Sequence, residues 1–154
     1  MLAEPNYAGN IIIILANLPD FLRTPILKKR MMEFFSMSEF DQKEIINNAL
    51  EAGPAIPFPN FSKLFKTWLE VIASISEEQR SLMFFRYINE LSETPQKLIN
   101  FNLDGILEIF LSLENSKKEI IVESIHKIIS NFDENKKNKL FLIIPERAKK
   151  ILRF

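Results

Sequence analysis

The sequence has no cysteine, one histidine, one tryptophan and three glycines among its 154 residues. Without cysteine there is no disulfide framework, and a single histidine cannot assemble the usual zinc ligand sets. Gly9, Gly53 and Gly105 stand far apart, which excludes the glycine-rich loops that cradle phosphates in nucleotide sites. Any Ser-His-Asp triad would have to use His126. No catalytic residue, metal or cofactor is therefore expected. Long apolar runs are also lacking: Ile11 to Leu15 is far too short to span a membrane. Residues 1–10 carry no Lys or Arg of the kind that opens a targeting segment, so the expected location is the cytoplasm.

What is present is enough apolar material for one globular domain, with a hydrophobic content of 47% and 20 basic residues balanced by 20 acidic ones. Phe, Ile, Asn and Lys are heavily used while Gly, Ala and Arg are sparse, the skew that AT-rich codons produce. Abundant Phe and Lys are on that account weak pointers to a binding surface.

Helix starts are the clearest local signals. Ser76 with Gln79 and Ser116 with Glu119 fit the box in which a hydroxyl accepts from the third helical amide while a Glu or Gln reaches back. Ser38 with Asp41 is a weaker version, Thr94 precedes a proline suited to the first helical position, and Asn60, Asn131 or Asp133 are further caps. Starts at 38, 60, 76, 94, 116 and 133 give one helix about every nineteen residues. Phe61, Leu64, Phe65, Trp68, Leu69, Ile72 and Ile75 keep one helical stripe apolar, and Ile120 to Phe132 wraps apolar side chains around more than half a helix. Ile11 to Leu15 reads as a buried first helix. The only breaks are Gly53 to Pro59, Ser92 to Pro95, Asn100 to Gly105 and Pro145, none long enough for an interdomain linker. The expected fold is all-α: a single domain spanning residues 1–154, of seven to nine antiparallel helices stacked as hairpins, either a short α-solenoid or an orthogonal bundle.

Taken two at a time, the starts repeat every 34 to 40 residues, and Ser38-Glu39-Phe40-Asp41-Gln42 is similar to Ser76-Glu77-Glu78-Gln79-Arg80. This spacing resembles that of HEAT and armadillo helical repeats. The run Asp133-Glu134, Leu140, Ile143, Ile144, Pro145, Glu146, Arg147, Ala148, Ile151 and Leu152 resembles the helical repeats of bacterial flagellar motor switch proteins and magnesium-transporter regulatory domains. The resemblance covers about twenty residues, implies a helical-repeat architecture and carries over no functional residue.

Candidate chemistry is thin. Glu119, Glu123 and His126 share one arc of a helix and read as its polar edge. The carboxylate pairs Glu77-Glu78, Glu90-Glu93 and Asp133-Glu134 lie at helix ends, and two of the three sit in first turns where they complement the helix dipole. Gly53 reads as a helix terminator, and Trp68 as core. Charge is uneven, with a net −7 over residues 31–114 and +5 over residues 115–154. The expected function is a non-enzymatic protein-interaction or scaffold module. Its contact residues are expected to be Ile56 and Phe58 in the proline-rich connection, Phe85 and Tyr87, and Lys149, Lys150 and Arg153 near the C-terminus. Nucleic-acid association through the basic C-terminal surface is the alternative, a carboxylate-based enzyme a more remote one, and pairing of the acidic middle with the basic end allows self-association.

Overall fold

The computed structural model describes residues 7–154. These form nine α-helices and no strand: α1 (Tyr7–Ala16), α2 (Asp20–Phe35), α3 (Glu39–Ala52), α4 (Phe58–Ser74), α5 (Glu77–Glu93), α6 (Leu103–Leu111), α7 (Asn115–Ser130), α8 (Glu134–Ile143) and α9 (Glu146–Ile151), with short 3-10 turns at Gly53–Ala55 and Pro95–Leu98. Three expected caps are in place: the side chains of Ser38, Ser76 and Asp133 accept from the amides of Asp41, Gln79 and Lys136.

Three other expected starts are displaced. The helix placed at Asn60 begins at Phe58 after Pro57, and Asn60 instead donates to Asn17 Oδ1 at 2.5 Å. Thr94-Pro95 opens only a 3-10 turn, and the α-helix that follows waits for Asn102, whose side chain accepts from Gly105 N. The helix expected from a Ser116 cap starts two residues earlier, with Glu114 at the cap position and no side-chain cap bond. The first helix is buried only in part: Leu15 and Ala16 are in the core, whereas Ile13 and Ile14 are exposed.

The corrected cap positions reveal a stricter period than the sequence reading gave. Pro19, Ser38, Pro57, Ser76, Glu114 and Asp133 are separated by 19, 19, 19, 38 and 19 residues, and the irregular segment of residues 94–113 fills the doubled interval. Helices pack closely on the helix two along: α1 on α3, α3 on α5 and α5 on α7 in one row, α2 on α4 and α4 on α6 in the other. Contacts of α4 with α1 and α7 tie the rows together.

Polar side chains at the fourth helical position, three of the four buried, hold this register. A side chain in the first turn tilts back toward the helix start, so a long one reaches the carbonyls that end the preceding helix. Arg23 of α2 donates to Leu15 O and Leu18 O, Gln42 of α3 to Phe34 O, Arg80 of α5 to Ile75 O, and Lys118 of α7 to Leu111 O. Three of the four also reach forward 44 residues, to the tenth position of the helix two along. Arg23 meets Thr67 Oγ1, Gln42 accepts from Arg86, and Arg80 meets Ser124 Oγ. All three are nearly sealed from solvent, Arg23 being 2% exposed, so their bonds are obligatory rather than optional.

The core divides in two. Ile46, Leu69, Ile72, Met83, Phe84, Ile109 and Ile121 belong to the larger cluster, while Leu15, Ala16, Leu27, Ile56 and Leu64 form a smaller one beneath α1. Trp68 packs against both. Gly53 ends α3 as expected, yet with right-handed dihedrals; a Cβ there would stand 2.8 Å from the Phe101 ring, so closeness rather than backbone freedom requires glycine.

Candidate functional site

The two rows do not close completely on each other. Between them lies an apolar cavity of about 450 Å³, partly open to solvent. Its walls come from six helices: Ile11, Ile12 and Leu15 of α1, Leu27, Met31 and Phe34 of α2, Ile45, Ala49 and Leu50 of α3, Phe61, Leu64, Phe65 and Trp68 of α4, Met83, Phe84, Tyr87 and Leu91 of α5, and Leu103 and Ile106 of α6. Arg30, Glu33 and Met37 line the side nearest solvent. Arg30 and Glu33 bond each other at 3.1 Å, so this pair adds no net charge to the mouth.

The stripe that begins with Phe61 in the sequence supplies one wall because helical spacing stacks its rings. Phe61 and Phe65 lie 5.6 Å apart, Phe65 and Trp68 5.9 Å, and Trp68 meets the edge of Tyr87 at 5.4 Å. Two residues of this wall carry a polar group, Tyr87 its hydroxyl and Trp68 its indole N–H. Desolvation of its charged form pushes the Tyr87 hydroxyl up from 10.0 to about 12. Among the described residues the only carboxylate on the lining is Glu33, so they bring no carboxylate pair to the cavity. Among the described residues no cluster of side chains has metal-ligand geometry.

The residues expected to contact a partner are scattered by the fold. Ile56 is buried as the plug under α1, and Phe58 is half-buried against Gly105. Tyr87 faces the cavity, and Phe85 packs its ring edge-on to Phe132, 6.2 Å away. At the C-terminus the basic residues are largely engaged. Lys149 bonds Glu146 at 2.9 Å and lies over the Phe141 ring, Arg147 bonds Glu108 at 2.8 Å, and Arg153 pairs with Glu119. The hydrogen bond and charge of Lys149 hold the Glu146 carboxyl below its usual range, while those of Glu119 push Arg153 up. Lys139 and Lys150 make no ion pair among the described residues.

The polar arc Glu119, Glu123 and His126 turns out to receive the end of the chain. His126 Nδ1 lies 2.7 Å from Leu152 O, and the imidazole stacks on Phe154 at 4.5 Å.

An exposed apolar face, not expected from the sequence, lies at the other end. Seven of the ten exposed large apolar side chains among the described residues fall between residues 13 and 40: Ile13, Ile14, Phe21, Leu22, Ile26, Met37 and Phe40. At about 100° per residue, Phe21, Leu22, Pro25 and Ile26 cover an arc of about 140° on α2, opposite the stripe of Arg23, Leu27, Met31 and Phe34 that faces the core. Exposed Lys28 and Lys29 flank and enter this arc. A helical wheel of residues 20–35 carries the signal, because its apolar residues fall on two opposite sides while one globular core needs only one.

No helix of the described residues is long and apolar enough to cross a membrane. Comparison of the chain with protein-family models, with curated proteins and with solved structures finds no match.

Proposed function

We propose that this chain is a non-enzymatic helical-repeat module of the cytoplasm that docks a partner protein on the outer face of α1 and α2. The observation that carries the reading is the second apolar side of α2, where Phe21 is 75% exposed and Leu22 and Ile26 are exposed beside it. An apolar face left exposed along one helix is costly in water and marks interaction sites on soluble domains. Lys28 and Lys29 within the same face suit a partner that offers carboxylates beside apolar side chains, such as an acidic amphipathic helix. The nineteen-residue helix period and the alternate-helix packing support the repeat reading, since stacked helices present long, rigid faces of this type. Phe85 and Lys150 reach the surface elsewhere and are secondary contacts.

The test is capture of partners by the tagged full chain from its native cell extract, at low and high salt and with and without nuclease, compared with a Phe21→Ser/Ile26→Ser variant. A discrete protein retained at high salt and lost in that variant is the expected result. Retention by the double variant defeats the docking face. Capture that disappears with nuclease or in a Lys149→Glu/Lys150→Glu variant moves the function to nucleic acid at the basic end.

A further inference from the structure

We infer that the cavity between the helix rows is a binding site for a small, uncharged, largely hydrocarbon molecule that carries one hydrogen-bond acceptor. This goes beyond the docking face and stands on different residues.

Size comes first. Protein interiors pack as densely as organic crystals and rarely leave voids larger than a water molecule. A cavity of about 450 Å³ is about three times the volume of an engineered cavity known to stay dry and admit benzene, and it falls within the range of small-molecule sites.

The chemistry of the walls then narrows the occupant. A buried water needs two to four polar partners, and a wall built from Leu, Ile, Met and Phe side chains supplies almost none, so hydrocarbon is favoured over water. The two polar exceptions are adjacent, with the Trp68 and Tyr87 rings 5.4 Å apart. No described residue hydrogen-bonds the hydroxyl of Tyr87 or the indole N–H of Trp68. The indole can only donate and the phenol donates readily, so the complementary group is an acceptor such as a ketone, ester or ether oxygen. Neither donor is sealed from solvent, so a ligand oxygen would take the place of water at them. Charge is selected against, because Arg30 at the mouth is already neutralised by Glu33.

Trp68 is the only tryptophan in the chain and lines the site, so its fluorescence reports occupancy directly. The full chain is titrated with 2-acetonaphthone, which carries a ketone, and with 2-ethylnaphthalene, which does not. Saturable one-to-one quenching of Trp68 by both is expected. Tyr87→Phe, which keeps the ring, is expected to weaken the ketone about five-fold and leave the hydrocarbon within about two-fold, the effect of one net hydrogen bond. Ala49→Phe, which fills the cavity, is expected to abolish both; should that variant fail to fold, the Tyr87→Phe comparison decides alone. Absence of saturation up to the solubility limit of either probe overturns the inference. So does equal weakening of both probes by Tyr87→Phe, or loss of binding in Phe21→Ser/Ile26→Ser, which would place the probes on the outer face.

Discussion

Arg80 and Ser124 hold two helices in register across 44 residues of chain, the guanidinium Nε of α5 donating to the hydroxyl of α7 at 3.2 Å. The same guanidinium donates to Ile75 O at the end of α4, so one side chain fixes both the turn before its helix and the helix two along. Replacing Arg80 by Met leaves a buried carbonyl and a buried hydroxyl short of a donor. A loss of about 1–3 kcal/mol in urea unfolding is expected. Ser124→Ala should cost less, and the double variant less than the two singles together. Strict additivity would show that the two side chains do not act as a unit.

Gly105 stands where a Cβ would meet Phe58 Cζ at 2.3 Å and Asn102 Nδ2 at 2.8 Å, so the ring and the capping side chain would have to shift. Gly105→Ala is expected to destabilise by about 1–3 kcal/mol, and Phe58→Leu in the same chain to recover part of the loss by vacating the space. The midpoint of denaturant unfolding measures both. An alanine variant as stable as the parent would mean that Phe58 packs elsewhere in solution.

Those two contacts mark the limit of what the sequence made legible. Caps such as Ser38, Ser76 and Asp133 could be read because a hydroxyl or carboxylate satisfies an amide only three residues away. Pro19 and Pro57 escaped that reading: a proline at the cap position offers no side-chain acceptor, and the starts they make are set by fixed dihedrals and by packing. Thr94-Pro95 misled for the converse reason, since a local signal for a turn does not say whether the turn propagates. The apolar stripe of α4 was legible from spacing alone, whereas the cavity in front of it depends on how six helices meet. The buried partners of Arg23, Gln42 and Arg80 lie 44 residues off, beyond any local pattern, although the nineteen-residue spacing of the caps points to them once it is seen.

Tyr87 makes stability depend on alkaline pH. Folding favours its neutral form, so the native state binds the proton more tightly than the unfolded chain does, and stability falls as pH rises from about 10 to about 12. The contribution at stake is at most about 3 kcal/mol, fully present below the unfolded value near 10. Tyr87→Phe should flatten this part of the pH profile relative to the parent chain. Parallel profiles for the two proteins would show the hydroxyl to be solvated.

The chain end is fastened by stacking more than by charge. Phe154 lies against His126 and near Phe141, at 4.5 and 5.2 Å between ring centres. Phe154→Ala is expected to cost about 1 kcal/mol, lowering the thermal midpoint by about 2–4 °C. Arg153→Ala, which removes only a solvent-exposed ion pair, should leave the midpoint unchanged. The reverse order would make the Glu119 pair the fastening.

Phe21 and Ile26 add to the hydrophobicity of the surface rather than to the core. Phe21→Ser/Ile26→Ser is expected to change unfolding free energy by less than about 0.5 kcal/mol per site while reducing the retention of the protein on a hydrophobic column. A cooperative loss of stability instead would show that α2 turns this face inward.

The gap between the helix rows also sets how the fold answers to compression. Unfolding lets water fill space that the native chain encloses, so the unfolded state occupies the smaller volume and pressure favours it, to a degree that grows with the enclosed void. With about 450 Å³ left open among its helices, this chain should give way at lower hydrostatic pressure than a close-packed helical domain of equal length. A compound lodged against Trp68 would remove that difference, making the domain mechanically stiffer without a single change in its sequence.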